Sequence, residues 1–347
     1  MKKLLLTTAF ASATLFASNA IAQTTVSGNL DITLKNLTAK GTGAAINSQS
    51  GMGKEAQINI SNKGKLNNGM DYVAGFSLED DGNQATTLFN ENTYIDFISG
   101  NTTLTIGQDH IQNSDRTLAT FVGLIAEDLT NTTGGGVGAD IFIAAPGADP
   151  AASYGIGIIQ NIPNIGSLSA LYVPRNTAGG VGGDDVGYTS TDESAYELGF
   201  VGTFGVKGLN AHAFMNKTDK VDTAASTSKD IKGTNLGVSY TMGQFTAGYN
   251  YKKTEYTGVA SSTVLTGETK QDEFGLAYAV TPNLTIAANY TKADPSSTLV
   301  DAKSKSIAVG YNLGPIALTA QAAKLEDYTG VAGVDADVLY LRASTKF

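Results

Sequence analysis

The chain has 347 residues, with 40 Gly, 7 Pro and 0 Cys, and its formal net charge at pH 7 is -9. The acidic balance argues against nucleic acid as a partner, and the lack of cysteine excludes a disulfide framework. Many glycines with few prolines suit a chain of strands and tight turns and exclude a collagen-like chain. No shift in composition marks a boundary, so one domain is expected.

The first predicted element is an export signal over residues 1–22. Positive charge in Met1–Lys3 precedes an apolar run over residues 4–17, and Ala20 and Ala22 form an Ala-x-Ala cleavage site. The mature domain is therefore expected to span Gln23 to the end of the chain, with a net charge of -11 once two lysines are lost. A membrane anchor is the alternative, but the run is shorter than the ~20 apolar residues that a spanning helix needs.

After the signal, the sequence alternates between polar residues and small or apolar ones with a period of two. The alternation starts at Thr24, where every second residue is small or apolar: Val26, Gly28, Leu30, Ile32 and Leu34. A period of two predicts a strand with one apolar face. The same pattern returns from Ala56 to Ser61 and from Met70 to Glu79, which predicts a first hairpin.

Short turns rich in Gly, Pro and Asn separate many of the later strands. They are predicted at Asn62–Gly64, Asn67–Gly69, Ser99–Asn101, Pro163–Gly166, Phe204–Gly208, Met242–Gln244, Thr281–Asn283 and Asn312–Pro315. Longer polar loops alternate with them: Asn36–Lys54, Asp80–Asn90, Asp109–Ala152, Pro174–Asp192, Lys217–Lys232, Thr254–Lys270, Ala293–Ala302 and Leu325–Val334. A soluble β-sandwich or β-solenoid is the rival, but neither requires turns that alternate short with long.

The count reaches about sixteen strands of about 8–11 residues, an even number that suits a single-chain transmembrane barrel. Because only alternate residues of such strands face lipid, the overall hydropathy stays near neutral. Tyrosines gather near the strand ends, where a ring can rest in lipid while its hydroxyl stays in water. The predicted fold class is therefore all-β, a transmembrane antiparallel up-and-down barrel.

Two segments resemble a known family. Asn92–Gly107 is similar to the hairpin that precedes the constriction loop of Gram-negative trimeric porins, and the alternating last strand that ends at Phe347 resembles the assembly signal of outer-membrane barrels. The resemblance implies a homotrimeric outer-membrane porin that lets small hydrophilic solutes and ions diffuse passively. Outer-membrane lipid and lipopolysaccharide are the further partners that it implies.

In that family the third long loop folds into the barrel and narrows the pore, and Asp109–Ala152 is the longest loop here. The resemblance places the constriction at four charged residues of this loop: Arg116, Glu127, Asp128 and Asp140. Gln108 stands where the family often has a basic residue, and the family's Pro-Glu-Phe-Gly is absent. The charge layout of the pore is therefore left open.

Inward positions of the predicted strands are polar, and the pore wall is expected to carry a few charges: Asp31, Lys35, Asp96, Lys252 and Arg342. Two arrangements are open. Acids on the loop and bases on the wall would create a transverse field that orients solutes, or the charges would pair locally along the wall. Closure of the last strand against the first would bring Arg342 near Asp31. The acidic balance favours a mild cation preference.

The same residues bear on other possible functions. A substrate-selective channel and a closed structural or adhesive barrel are alternatives, although sixteen strands leave an aqueous lumen. A barrel-embedded enzyme would need a nucleophile beside a base, and the two histidines, His110 and His212, have no natural serine neighbour. No cofactor or metal site is expected. Small outward residues such as Ala211, Ala213, Ala320 and Ala322 allow the close contact that a trimer needs.

Overall fold

The computed structural model describes residues 23–40, 48–81, 89–107, 154–174, 194–219, 230–257, 268–295, 300–327 and 332–347. The predicted export signal lies outside these ranges. The described residues form sixteen β-strands. They are β1 Gln23–Lys40, β2 Gln49–Lys65, β3 Asp71–Asp81, β4 Phe89–Ser99, β5 Thr102–Gly107, β6 Gly155–Ile162, β7 Gly166–Val173, β8 Ala195–Gly202, β9 Leu209–Asp219, β10 Asp230–Met242, β11 Phe245–Thr257, β12 Glu268–Thr281, β13 Leu284–Pro295, β14 Ala302–Leu313, β15 Ile316–Glu326 and β16 Asp335–Lys346.

Every strand pairs antiparallel with its neighbours in the chain, and β1 pairs with β16 to close the sheet into a barrel. The seam runs from Asn29 opposite Lys346 to Lys40 opposite Asp335. Closure removes both sheet edges, so every strand gains two hydrogen-bonded partners. The predicted fold class, a closed antiparallel barrel of sixteen strands, is confirmed.

The two faces of the barrel wall follow the alternation of the sequence. On β13 the outward Ile286 is 42% exposed, whereas the next residue, the inward Ala287, is 1% exposed. The outward face of the other strands is likewise made of apolar side chains, among them Val26, Ile58, Ile106, Ile158, Leu198, Met215, Val238, Leu276, Val309, Leu318 and Leu341. A barrel with lipid outside and water inside needs this arrangement, an apolar outer face around a polar inner face.

Short turns and long connections alternate as predicted, and both described ends of the chain lie on the short-turn side. Gly208, in the turn before β9, shows why these turns need glycine. Its φ is +84°, and a Cβ there would lie 2.3 Å from the carbonyl oxygen of Thr241. A side chain at this position would therefore strain the backbone and collide with the backbone of β10.

Two details of the predicted strands are wrong. Asn62–Gly64 was expected to form a turn, but it lies within β2, which continues to Lys65. Several strands are also longer than the expected 8–11 residues. For example, β1 has 18 residues and β2 has 17. In the extra part of β1 the apolar Leu37 faces inward while its neighbours Asn36 and Thr38 face outward, so a search for outward apolar residues misses it. The extra residues carry the strands beyond the apolar band.

Aromatic side chains border the apolar band on both sides. Tyr240 and Tyr311 face outward next to short turns, whereas Tyr154, Tyr172 and Tyr196 face outward near the long connections. A tyrosine at the edge of an apolar band can rest its ring in lipid while its hydroxyl stays in water, so these positions are typical of a membrane interface. The two aromatic rows mark the height of the lipid-facing band.

The inner face is not polar throughout, which corrects the expectation from the sequence. Near the long connections of β13 to β16, inward apolar side chains pack into a buried cluster with the same face of β1. The cluster contains Leu37, Ala293, Ala302, Ala323, Leu325, Ala336, Val338 and Tyr340. The sequence pattern hides these residues because the alternation is reversed there: the outward neighbours are charged, such as Lys292, Lys303 and Lys324, whereas the inward residues are apolar.

The C-terminal residue closes the short-turn end of the seam. Phe347 donates its backbone N–H to the carbonyl of Gly28 at 3.0 Å and accepts from the N–H of Gly28 at 2.8 Å. Its ring covers Gly28, since a Cβ there would lie 2.6 Å from the ring. An aromatic ring over a glycine shields backbone that would otherwise be bare. That Phe347 also acts as an assembly signal stays a prediction.

Candidate functional site

The inner face of β9, β10 and β11 carries a buried polar cluster around His212. The Nε2 atom of His212 lies 3.0 Å from Asn235 Oδ1 and 3.1 Å from Asn250 Oδ1. Gly237 lies directly opposite His212, and a Cβ there would lie 2.3 Å from the imidazole ring. The glycine therefore makes space for the ring, and the two amide oxygens are placed to accept a hydrogen bond from Nε2.

Next to this cluster, Lys252 on β11 and Glu273 on β12 form an ion pair on the inner face. The Nζ atom of Lys252 lies 3.8 Å from Glu273 Oε2, and the side chains are 3% and 8% exposed. The two charges depend on each other, because burying one ion without its partner would lower the free energy of unfolding by several kcal/mol. The pair is a local one along the wall.

A second inward ion pair crosses the seam of the barrel. The guanidinium of Arg342 on β16 donates from Nη2 to the Oδ2 atom of Asp31 on β1. Asp31 is buried, whereas Arg342 is partly exposed to the lumen. Glu55 on β2 lies opposite Asp31 in the strand register, so the acid is flanked by a cation on one side and a second acid on the other.

Further acids on the wall accept hydrogen bonds from neutral side chains. The amide Nε2 of Gln57 donates to Glu79 Oε2 at 3.2 Å and to Ser77 Oγ at 3.4 Å. On the next hairpin, the hydroxyl of Thr105 donates to Asp96 Oδ1 at 2.6 Å. Hydrogen bonds of this kind hold a carboxylate in place without cancelling its charge.

The five predicted wall residues all lie on strands and face inward. Asp31 and Arg342 contact each other, whereas Asp96 on β4 and Lys252 on β11 lie apart from them. Lys35 is half-buried on β1, opposite Tyr340 of β16. The four predicted constriction residues, Arg116, Glu127, Asp128 and Asp140, lie outside the described residues, as does His110.

Four inward acids were missed by the sequence analysis: Glu55, Glu79, Glu197 and Glu273. The alternation contained the signal that would have found them. Glu197 stands between Tyr196 and Leu198, which face lipid, and its side chain is only 1% exposed. An acid between two lipid-facing residues must point into the barrel.

Acids outnumber bases on the described wall away from the short-turn rim. The inward acids there are Asp31, Glu55, Glu79, Asp96, Glu197 and Glu273, and the inward lysines and arginines are Lys35, Lys252 and Arg342. At the rim itself, Lys63, Lys65 and Lys346 face inward by the same alternation, next to Asp71. The excess of acids is therefore expected to make the electrostatic potential of the lumen negative along most of the height of the described wall.

Across the part of the chain that the structure describes, no group of three or more His, Cys, Asp or Glu is arranged to hold a metal ion. Within the same residues, no helix is long and apolar enough to cross a membrane.

Comparison with known proteins supports this geometry. Among solved structures, the anion-selective porin from Comamonas acidovorans aligns with a TM-score of 0.69 at 16% identity, covering 94% of this chain and 100% of that chain. A trimer form of OmpT, an outer membrane protein of Vibrio cholerae, aligns with a TM-score of 0.59 at 13% identity, with 94% and 99% covered. Salmonella typhi OmpF aligns with a TM-score of 0.61 at 10% identity, with 93% and 97% covered.

Such identities show a shared fold. A comparison with curated protein sequences gives no match. A family model described as Gram-negative porin matches residues 7–330. With a closed barrel of sixteen strands, an apolar outer face and a family match over nearly the whole sequence, the chain belongs to the Gram-negative porin family.

Proposed function

We propose that this chain forms a water-filled channel in the outer membrane, through which small hydrophilic solutes and ions diffuse passively. The closed barrel of sixteen strands carries the proposal, because a barrel of that size leaves an aqueous lumen. Export with cleavage near Gln23 is part of the proposal, supported by the apolar run and the Ala-x-Ala site at Ala20 and Ala22. The apolar outer face supports a place in lipid.

Channel activity gives the direct test. The refolded chain, added to a planar lipid bilayer, is expected to raise the conductance in discrete steps, because each inserted barrel opens a continuous aqueous path. The measurement is single-channel current in KCl, with the same protein after thermal denaturation as the control. A conductance no higher than that of the denatured control would remove the channel function.

We also propose that three copies assemble. The outer face of β4 to β8 has no lysine or arginine among its described residues, and Ile95, Ile106, Ile158 and Leu168 lie on it. An uncharged apolar face suits contact between subunits within lipid. Voltage-induced closure in three equal conductance steps, with a trimer mass in mild detergent, is the expected result. Closure in a single step with a monomer mass would contradict this assembly.

A mild cation preference is the finer part of the proposal. Six inward acids face three inward lysines and arginines over most of the described wall, and this excess raises the local concentration of cations. The similar porin from Comamonas acidovorans is anion-selective, but at 16% identity the likeness is one of fold and does not extend to individual wall residues. Selectivity therefore has to be argued from this chain's own wall.

The reversal potential in a KCl gradient tests the selectivity. Glu55→Gln with Glu79→Gln removes two wall acids and is expected to shift the potential toward anions, whereas Arg342→Ala is expected to shift it further toward cations. A second set of changes, Glu127→Gln, Asp128→Asn and Asp140→Asn, removes the acids that the resemblance places at the constriction.

The two sets of variants show whether charges on the barrel wall or charges on the third long loop determine the ion selectivity. Screening limits each charge to about 8 Å at physiological salt, so the residues nearest the narrow point produce the larger shift. A potential that stays unchanged in both sets would overturn the proposed cation preference while leaving the channel itself intact.

An enzyme in the same barrel is less well supported. It would need a nucleophile beside a base. In the described wall, the Nε2 atom of His212 faces two amide oxygens, those of Asn235 and Asn250, which cannot serve as nucleophiles.

A further inference from the structure

The inner wall of the barrel is divided into a charged part and an uncharged part. On β9 to β15, the inward Lys, Arg, Asp and Glu side chains among the described residues are Lys252 and Glu273 alone, and these two pair with each other. The other inward acids and bases lie on β1 to β4, β8 and β16. Amides take their place on β9 to β15, among them Asn250, Gln271 and Asn289. A solute that passes this part of the wall therefore meets hydrogen-bonding groups rather than charges.

Two glycines open a hollow in the uncharged part. Gly248 of β11 lies directly opposite Gly275 of β12, and both positions face inward. In the same row across the strands, Ser239 of β10 lies opposite Gly248, and Asn289 of β13 lies opposite Gly275. Because the glycines have no side chains, the row has a gap between Ser239 and Asn289, whose backbones lie three strand spacings or about 14 Å apart. We call this gap the glycine hollow.

The amide of Asn289, at one edge of the glycine hollow, has no hydrogen-bond partner in the part of the chain that the structure describes. Both its Oδ1 and its Nδ2 atoms are unpartnered, although the residue is only 7% exposed. Further up the same wall, the Oε1 atom of the buried Gln271 is unpartnered as well. A polar group that is kept from water without a partner destabilises a fold, so native proteins pair nearly all of them. The amide of Asn289 is therefore suited to a ligand that supplies both a donor and an acceptor.

The edge of the hollow toward the long connections is held in place by contacts within the wall. Asn250 is the next inward residue of β11 after Gly248, and its Oδ1 atom lies 3.1 Å from His212 Nε2. Glu273 lies opposite Asn250 in the register and is held by Lys252. Side chains that are fixed before a solute arrives lose little conformational entropy when it binds. This edge is therefore preorganised.

We propose that the glycine hollow binds a neutral solute with many hydroxyl groups, a sugar or a polyol. A hydroxyl donates one hydrogen bond and accepts others, so neighbouring hydroxyls of a sugar match both atoms of the Asn289 amide. The glycine floor lets the ring of the solute approach the backbone closely. The inference rests on the channel function proposed above and names the class of solute that the channel binds.

The distribution of charge disfavours an ionic solute at this position. Lys252 and Glu273 lie 3.8 Å apart and neutralise each other. An ionic solute in the hollow would exchange its water for groups without net charge, which is unfavourable. The acids that attract cations, such as Asp31 and Glu79, lie on β1 to β3. Ions are therefore expected to follow the acidic part of the wall, whereas a sugar follows the amides.

Single-channel current in the presence of a sugar tests the proposal. The refolded chain in a planar bilayer is exposed to sucrose, a neutral disaccharide, and to polyethylene glycol of the same hydrodynamic radius, whose ether oxygens only accept hydrogen bonds. Sucrose is expected to lower the conductance with saturation at millimolar concentrations, whereas the glycol should lower it without saturation. A sucrose effect that matches that of the glycol and does not saturate would overturn the proposal and leave the hollow to water.

Replacing Asn289 shows whether its amide binds the sugar. Asn289→Leu removes the donor and the acceptor at similar volume and is expected to raise the half-saturating sucrose concentration about tenfold, because two hydrogen bonds are lost. The matched control is Asn59→Leu, which removes a half-buried inward amide of β2 outside the hollow and should leave that concentration as in the wild type. A wild-type value in Asn289→Leu, or an equal change in both variants, would overturn the proposal.

Filling the hollow gives a second test that leaves every amide in place. Gly275→Ala and Gly275→Leu add side chains of increasing size to the floor and are expected to weaken sucrose binding in that order. Channels that open without sugar show that each variant has folded. Saturation at the wild-type concentration in both variants would overturn the proposal.

Saturation-transfer NMR between the refolded chain in detergent and sucrose separates this inference from the channel function, because it needs no open pore. Transfer to sucrose in a wild-type chain that opens no channel would overturn the channel function alone. Open channels with no transfer and no saturation of the current would overturn the sugar site alone.

Discussion

Replacing Lys252 by methionine is expected to lower the free energy of unfolding by about 3–5 kcal/mol. Lys252 and Glu273 are both buried on the inner face, 3.8 Å apart. The change removes the cation and leaves the carboxylate of Glu273 in a site with little access to water. An uncompensated buried charge of this kind is among the most costly defects in a folded protein. The measurement is a urea titration of the protein in lipid vesicles.

Two variants identify the cause of the loss. Lys253→Met removes the next lysine along β11, which faces outward in an ion pair nearer to solvent, and is expected to cost less than about 1 kcal/mol. Lys252→Met combined with Glu273→Leu removes both buried charges and is expected to return to within about 1 kcal/mol of the wild type. If the double variant were as unstable as Lys252→Met alone, the ion pair would not be the source of the effect.

The second large effect is expected on the lipid side of the wall. Ile286 lies in the middle of β13, faces outward and is 42% exposed, between Tyr278 of β12 and Val309 of β14. Ile286→Arg places a cation in the hydrocarbon layer, which should cost about 2–4 kcal/mol near the bilayer midplane. The free energy of unfolding in vesicles measures this cost.

The matched control for this change is the preceding residue. Thr285 faces the lumen, so the arginine in Thr285→Arg is able to reach water and should cost much less. Equal destabilisation by Ile286→Arg and Thr285→Arg would mean that the two faces of β13 are assigned wrongly.

The barrel itself was predictable because lipid and water impose opposite demands on alternate residues. Val26, Ile58 and Leu276 each face lipid, as the period of two requires. Turn chemistry added the number of strands, since Gly100 and Gly243 both adopt the positive φ that ends a hairpin. In this fold the local alternation of each strand and the closure of the whole sheet require the same residues to face outward. The barrel could therefore be predicted from one sequence.

The inner face was less predictable, since water in the lumen tolerates many side chains. Val338 and Tyr340 point inward on β16, but Leu339 and Leu341 on the same strand point to lipid, so the strand is apolar on both faces. Hydropathy then carries no information about orientation. The proximity of Arg342 to Asp31 could be inferred only from closure, because the chain separates them by 311 residues.

The seam between β1 and β16 also determines when the protein is able to fold. Its contacts join the two ends of the chain, so the edge of β1 has no partner until residues 335–347 have been delivered. Closing such a long loop costs little more entropy than closing a short one, but the wait leaves a long unpaired strand that invites aggregation. A chain cut short before Asp335 would leave an open sheet with two unpaired edges and could not close as a smaller pore.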